Sequence, residues 1–265
     1  MKRTYISLLA APLLLISCND IAEDDRLIAT EGVAVERAVL IEDFTGQDCV
    51  NCPAAHNVIE KLLAQYGDAV IPVSIHAGDF GISVDNKRYT GLMTPEGDVY
   101  NDAWNIDEWP KGVVNRSSAG AVNPDEWADA VRKAVEQTSP LDIELTAESD
   151  GATIDIQVTL EPKSDVNGYL QVWILEDGIV ARQRDLNQGL IKDYVHNHVY
   201  RASVNGIGGE AVSLKGMIHK DFTYSMEVRN TETEKWVADN LSVVAFVYND
   251  GGVSQATKTN VLIQK

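Results

Sequence analysis

The chain has few basic residues, few cysteines and only one long apolar run. Its 265 residues contain 22 lysines and arginines against 40 aspartates and glutamates, so the formal net charge is −18. Binding to nucleic acid needs a basic face that meets the phosphates, and because the sequence shows none, no nucleic-acid partner is expected. No Ser/His/Asp arrangement, phosphate-binding loop or catalytic carboxylate pair stands out either, and no cofactor is expected.

The one long apolar run lies at the N-terminus. Lys2 and Arg3 precede an apolar stretch from about residue 6 to residue 16. This pattern is typical of an export signal, and the stretch is too short to span a membrane as a helix. We therefore expect a signal peptide over residues 1–17, whose removal changes the formal charge from −18 to −20 because Lys2 and Arg3 leave with it.

The end of this segment, Leu15-Ile16-Ser17-Cys18, resembles the bacterial lipoprotein box. The resemblance implies that the chain is cut before Cys18 and that this cysteine is acylated. The alternative, an ordinary signal peptide, would leave an unpaired thiol at the mature N-terminus of an exported protein. Residues 18–35 are acidic with little to bury, so they predict a solvated tether. The acidic residues just behind Cys18 resemble the surface-export signal of lipoproteins in Bacteroidota-type bacteria, and this resemblance implies the outer membrane. We expect a monomeric outer-membrane lipoprotein, attached through Cys18, that faces the periplasm or the medium.

Two patterns divide the rest of the chain near residue 140. In residues 36–140 apolar strand-like runs alternate with helix-like stretches, which favours an α/β domain. One helix is predicted from Cys52 to a C-cap at Gly67, and another begins at Pro124 after the N-cap Asn123. Residues 141–265 carry about seven short strands between turn signals, which predicts an all-β immunoglobulin-like sandwich.

A pair of cysteines, Cys49 and Cys52, lies where the first predicted strand gives way to the first helix. A thiolate at such a junction is stabilised by the free N–H groups and the positive end of the helix. The second cysteine lies one helical turn further on, within reach of the first sulfur. This spacing would let Cys49 attack a substrate disulfide and let Cys52 release the mixed disulfide.

The order of apolar strand, acid, phenylalanine, CxxC and amphipathic helix resembles the thioredoxin superfamily. The resemblance implies that Asp43, six residues before Cys49, is buried beneath the site and accepts the proton of Cys52. The adjacent Glu42 could be confused with it. The expected catalytic residues are therefore Cys49, Cys52 and Asp43.

A second mark of that superfamily is a cis-proline that faces the disulfide and offers backbone to an extended substrate. Pro110, after Trp109 and before the strand-like run at residues 111–114, is the candidate. The resemblance implies that Trp109 and Pro110 contact the substrate. The interval from Cys52 to Pro110 is long, so residues 79–107 are expected to be an insertion. This insertion is expected to cover the core, and the alternative is that it shapes a substrate groove.

The residues around Cys49 depart from the strongly oxidising members of the superfamily. Asp48 directly precedes Cys49, and a neighbouring carboxylate opposes thiolate formation. The dipeptide Val50-Asn51 lacks the histidine of strongly oxidising sites. A strong oxidant is therefore not expected.

Metal binding and a structural disulfide are the rival interpretations. A structural zinc site needs four ligands, and only His56 lies close to the cysteines in sequence. His76 could serve as the distant ligand of a copper carrier, and His196 and His198 are expected on one face of a strand without a third ligand. No metal is expected. A purely structural disulfide suits an exported protein, but so short a loop stabilises little.

Taken whole, the chain resembles the 28-kilodalton outer-membrane lipoprotein family of Bacteroidota-type bacteria. The segments FTGQDCVNCP, WPKGVVNR and HNHVYR carry this resemblance. It implies a thioredoxin-like domain joined to a β-sandwich. We expect an envelope thiol-disulfide oxidoreductase that acts on protein thiols or disulfides. The alternative is a non-catalytic binding or adhesion module, because a fold does not guarantee its usual activity.

Overall fold

The computed structural model describes residues 36–228 and 234–264. The predicted signal peptide, the tether and Cys18 lie outside these residues. The helices are α1 (Cys52–Tyr66), α2 (Pro95–Ala103) and α3 (Pro124–Val135). The strands before residue 140 are β1 (Val39–Thr45), β2 (Val70–His76), β3 (Lys111–Val114) and β4 (Ala121–Val122). The strands after it are β5 (Leu141–Ser149), β6 (Thr153–Pro162), β7 (Val166–Glu176), β8 (Ile179–Asp185), β9 (Gly189–His196), β10 (Val199–Ser203), β11 (Glu210–Leu214), β12 (Ile218–Ser225), β13 (Leu241–Asn249), β14 (Gly252–Asn260) and β15 (Leu262–Ile263).

The largest sheet has nine strands and joins both halves of the chain. Its order is β14-β13-β7-β10-β2-β1-β3-β4, and β11 also pairs with β7. Strands β1 and β2 are parallel, β3 is antiparallel to β1, and β10 pairs with β2 through Val199 and Ser74. The chain is thus a mixed α/β protein built mostly from strands, and a domain division at residue 140 stays a prediction.

Strand β1 lies inside this sheet and is buried along its whole length. Ile41 packs on the side of α1 and α3, whereas Phe44 packs on the opposite side of the sheet. Because side chains alternate along a strand, Asp43 faces the α1 side and Glu42 faces the other. The two neighbouring acids are therefore in different environments.

Helix α1 has the limits that the sequence predicted. It begins at Cys52, with Pro53 in the first turn, and ends at Tyr66. The C-cap is Gly67, whose φ of 54° lies in the left-handed region. Its buried stripe consists of Cys52, Pro53, Ala55, Ile59 and Leu62. Helix α3 likewise begins after Asn123, and its Trp127 is fully buried.

The four-stranded sheet β12-β6-β5-β15 packs against β7 and β13 of the large sheet. The apolar core between them contains Ile154, Ile156, Val158 and Leu160 from β6, with Leu170, Val172, Ile174, Val243, Ala245 and Val247 opposite. Strands β8 and β9 form a separate two-stranded hairpin. No helix within the described ranges is long and apolar enough to cross a bilayer.

The structure contradicts the predicted strand through His196 and His198 and agrees with the expected position of residues 79–107. The predicted continuous strand through His196 and His198 is wrong, because β9 ends at His196, β10 begins at Val199, and His198 has a φ of 58° between them. The left-handed residue breaks the two-residue alternation that would place both imidazoles on one strand face. The segment 79–107 does cover the core, since Tyr100 of α2 is buried against Trp173.

Candidate functional site

Cys49 and Cys52 form a disulfide at the N-terminus of α1. The turn before the helix is closed by the Cys49 N–H, which donates to the Gly46 carbonyl at 3.1 Å. Cys49 is only 2% exposed and Cys52 is fully buried. The disulfide is therefore covered by neighbouring chain.

The β8–β9 hairpin provides part of this cover and is hydrogen-bonded to the disulfide loop. The Arg184 N–H donates to the Gln47 carbonyl at 2.8 Å, and the Leu186 N–H donates to the Val50 carbonyl at 2.9 Å. The first bond precedes the cysteine pair in sequence, and the second lies inside the loop that the disulfide closes. The hairpin thus runs beside the disulfide loop and pairs with its backbone, as an additional β-strand would.

Two buried glutamine side chains reinforce the same contact. The Gln183 amide donates to the carbonyls of Gly46 and Cys49 at 3.1 and 2.9 Å. The Gln47 amide donates to the Thr90 carbonyl at 3.0 Å, and its oxygen accepts from the Leu92 N–H at 3.0 Å. Buried amides that satisfy backbone groups in this way fix the loop, because each unpaired group would cost about 1–3 kcal/mol. No motif in the sequence marks either glutamine.

Arginines from the hairpin neutralise Asp48. The Arg184 Nε lies 3.0 Å from the Asp48 carboxylate, and Arg182 pairs with the same oxygen. From its position in the sequence alone, Asp48 is expected to oppose a thiolate on Cys49. In the structure two guanidinium groups compensate this carboxylate, so that expectation lacks its main electrostatic support. Both arginines lie more than 130 residues away, which is why sequence reasoning missed them.

The structure separates the two acids that the sequence could have confused. Glu42 forms a buried ion pair with Arg116 at 2.9 Å on the face away from α1. Asp43 is fully buried on the α1 face, and among the described residues neither carboxyl oxygen has a partner within hydrogen-bond geometry. Burial raises the pKa of Asp43 to about 8, against a smaller lowering effect of the Ser74 hydroxyl. Asp43 is therefore the acid whose environment favours the protonated form.

His56 lies between Asp43 and the hairpin. Its Nε2 atom is 3.1 Å from Thr45 Oγ1 and 3.6 Å from Asp43 Oδ2, and its Nδ1 atom is 2.8 Å from the Tyr194 hydroxyl. Burial lowers the pKa of His56 to about 4, so the ring is neutral near pH 7. From the sequence His56 is a candidate only for a zinc ligand. Its position four residues after Cys52, which places both residues on one helix face, is the signal that could have linked it to the site.

Trp109 and Pro110 lie at the sheet end that carries the disulfide loop. The peptide bond between them is cis, as the sequence predicted, and Lys111 then begins β3 opposite the end of β1. The Trp109 ring contacts Phe80, with ring centroids 5.6 Å apart, and the Phe80 carbonyl accepts from the Asp48 N–H at 2.9 Å. Three segments that are distant in sequence therefore meet beside Cys49.

A pocket of about 330 Å³ lies next to His56. The imidazoles that line it belong to His56, His76, His196 and His198. The His76 and His196 rings are buried with centroids 5.2 Å apart, and burial lowers the pKa of both. Within residues 36–228 and 234–264, no three histidines, cysteines or acids are placed to hold a metal ion.

The fold and this site define a mixed α/β protein with a CxxC disulfide at the start of a helix and a buried acid on that helix's side of the sheet. Residues 97–265 match the family model described as outer membrane protein Omp28. The chain belongs to the Omp28 outer membrane protein family, which confirms the expected outer-membrane localisation at the level of the family. The matched residues begin after Cys52.

Two solved structures from Porphyromonas gingivalis are similar to the chain. HBP35 matches with a TM-score of 0.65 and 18% identity over 87% of this chain and 77% of that one, a likeness of fold. A domain of the outer membrane lipoprotein Omp28 matches with 25% identity over 49% of this chain and 93% of that one, at a TM-score of 0.36. No curated protein matches the chain.

Proposed function

We propose that the chain is an envelope thiol-disulfide oxidoreductase that acts on exported proteins. The proposal includes a thioredoxin-like domain over residues 36–140, a β-sandwich over residues 141–265 and a monomer attached to the membrane through acylated Cys18. The observation that carries it is the position of Asp43 on the side of the sheet where α1 begins with a disulfide. Asp43 is fully buried and has no hydrogen-bond partner in the described part of the chain.

In the proposed reaction Cys49 is the nucleophile, because it precedes the helix and its thiolate would face the positive helix end. Its attack on a substrate disulfide forms a mixed disulfide and expels one substrate thiolate. Cys52 then attacks Cys49 Sγ, which releases the second substrate thiolate and leaves the Cys49–Cys52 disulfide. Asp43 accepts the Cys52 proton, and its pKa of about 8 suits a group that gains and loses a proton near neutral pH.

Trp109 and Pro110 are proposed to contact the extended backbone of the substrate. The Trp109 ring contacts Phe80, whose carbonyl accepts from the Asp48 N–H next to Cys49, and this contact supports the proposal. The burial of Cys49 adds a requirement, since a protein thiol reaches Cys49 only if the β8–β9 hairpin moves away from the loop. Substrate entry and hairpin displacement are therefore expected to be coupled.

The test is disulfide exchange between the purified chain and a disulfide-bonded protein in the presence of a dithiol. Exchange by the unmodified chain, its loss in Cys49→Ser and accumulation of a mixed disulfide in Cys52→Ser are the expected results. The variant with both cysteines replaced by serine is the control. Exchange no faster than in this control would rule out the proposal.

The second candidate is a non-catalytic binding module of the cell surface. The covered disulfide and a family match that begins after Cys52 favour it. This function predicts that binding to an envelope or host protein survives when both cysteines are replaced by serine. Loss of binding in that variant, with an unchanged circular dichroism spectrum, would count against the module.

A further inference from the structure

Two side chains in series lie between Asp43 and the pocket, and the first of them, His56, is close to the Asp43 carboxyl but not hydrogen-bonded to it. Its Oδ2 atom lies 3.6 Å from His56 Nε2, and His56 Nδ1 lies 2.8 Å from the Tyr194 hydroxyl. The three groups come from β1, α1 and β9, so the tertiary fold rather than one local motif assembles them. Thr45 Oγ1, 3.1 Å from Nε2, fixes the side of the ring that faces Asp43.

The outer end of this series reaches solvent. Tyr194 and His56 both line the 330 Å³ pocket, which has room for several water molecules. The exposed residues Asn57, Glu60, Val195 and Asn197 also line this pocket. Asp43 itself is fully buried, so its carboxyl needs an intervening group to exchange protons with water.

We infer that His56 and Tyr194 form a proton relay that connects the buried carboxyl of Asp43 with solvent during thiol-disulfide exchange. The inference rests on the proposed function and adds a route for the proton that Asp43 gives or takes. His56 and Tyr194 act through Asp43 and touch neither substrate nor sulfur, so they are positioning residues rather than catalytic ones.

When an external dithiol reduces the disulfide, the protons and electrons that move can each be followed. A dithiol thiolate attacks Cys49 Sγ, the bond between Cys49 and Cys52 breaks, and its electron pair goes to Cys52 Sγ. Asp43 gives its proton to that sulfur. His56 then passes its Nε2 proton to the Asp43 carboxylate and takes a proton at Nδ1 from the Tyr194 hydroxyl, which is reprotonated from water. The second dithiol sulfur displaces Cys49, so two electrons pass from dithiol to disulfide.

The protonation states of the relay groups suit this role. Burial keeps the His56 ring neutral by lowering its pKa to about 4, so one ring nitrogen can donate while the other accepts. Burial likewise raises the pKa of Tyr194 to about 12, which keeps its hydroxyl proton in place. Four other titratable groups line the pocket. They are Glu60 from α1, His76 and His196 at the ends of β2 and β9, and His198 just before β10.

The experiment measures the rate at which a small dithiol reduces the chain's own Cys49–Cys52 disulfide, with and without imidazole in the buffer. His56→Ala is expected to slow reduction about tenfold, less than the full effect of a general acid. Added imidazole should restore most of this rate by replacing the missing ring. It should change neither the unmodified chain nor Asp43→Asn, in which the carboxyl itself is lost.

Tyr194→Phe keeps the ring and removes the hydroxyl, so it is expected to slow reduction without altering the fold. His219→Ala, an exposed histidine on β12, is the control. If His56→Ala does not fold, His56→Gln is the substitute, because it keeps a hydrogen-bonding group that cannot shuttle a proton. An unchanged rate, or a slow rate that imidazole does not restore, would overturn the relay. A different result would contradict the proposed function alone. In that case the dithiol reduces the chain at the normal rate and imidazole rescues His56→Ala, but Cys52→Ser forms no mixed disulfide with a protein.

Discussion

The backbone N–H of Leu186 donates to the carbonyl of Val50 at 2.9 Å, within the loop closed by the disulfide. This bond holds the β8–β9 hairpin against the loop. Leu186→Pro removes the donor, and we expect reduction of the disulfide by a dithiol to become about fivefold faster, the equivalent of a backbone hydrogen bond of about 1 kcal/mol. Stopped-flow measurement of thiol release gives the rate.

Leu186→Ala is the matched control for this change. The Leu186 side chain is 68% exposed, so its truncation removes little packing and keeps the N–H donor. The alanine variant should reduce at the rate of the unmodified chain. Equal rates in the proline and alanine variants would show that the hairpin does not limit access to Cys49.

The charge pair between Asp48 and the hairpin arginines predicts an effect on the thiol–disulfide equilibrium. Replacing Arg182 and Arg184 by glutamine leaves the Asp48 carboxylate uncompensated next to Cys49. A thiolate on Cys49 should become less stable, so alkylation of the reduced chain at neutral pH should slow several-fold. The variant that also carries Asp48→Asn should recover most of the rate. A slow rate in both variants would assign the effect to lost packing rather than to charge.

Local pattern was enough to predict the parts of the site that are close in sequence. The cis bond before Pro110 was expected instead from the resemblance to the thioredoxin superfamily. The strand that contains Asp43 and the helix that begins at Cys52 follow from short segments with clear turn and capping residues. Each depends on backbone preferences and on apolar periodicity within about fifteen residues. The confusion between Asp43 and Glu42 could not be resolved in the same way, because it depends on which strand face meets α1.

The rest of the site depends on tertiary pairing. The contact of Tyr194 with His56 spans 138 residues, and the contacts of Arg182 and Arg184 with Asp48 span about as many. No spacing rule links such positions, since a two-stranded hairpin can dock wherever its edge finds hydrogen-bond partners. For the same reason the sequence did not predict the nine-stranded sheet, which combines strands from both sides of residue 140.

The buried carboxyl of Asp43 predicts a stability gain that depends on pH. Its pKa is about 8 in the folded chain, against about 3.9 for an unfolded aspartate. Between these values the folded chain holds a proton that the unfolded chain has released, so the free energy of unfolding falls as pH rises. Asp43→Asn has no proton to release, so it should avoid this loss of stability. The gain in the free energy of unfolding should be roughly 4–5 kcal/mol near pH 7.5 but little near pH 4.

Urea unfolding at the two pH values measures this difference. Asp68→Asn, an exposed aspartate just beyond α1, is the control and should change stability equally little at both. A gain for Asp43→Asn that is the same at acidic and neutral pH would mean that Asp43 is ionised in the folded chain.

His196 predicts the opposite pH dependence. Burial, and secondly the charge of His56 when protonated, lower the pKa of His196 to about 3 in the folded chain, against about 6.5 when unfolded. As pH falls below 6.5 the unfolded chain binds a proton that the folded chain does not bind. The free energy of unfolding therefore falls as pH falls. His196→Gln has no such proton to bind. Its loss of stability between about pH 7.5 and pH 4 should be roughly 2–3 kcal/mol smaller than that of the unmodified chain. Urea unfolding gives both values, with the exposed His219→Gln as control, and an unchanged acid loss in His196→Gln would show that this imidazole is already protonated in the fold.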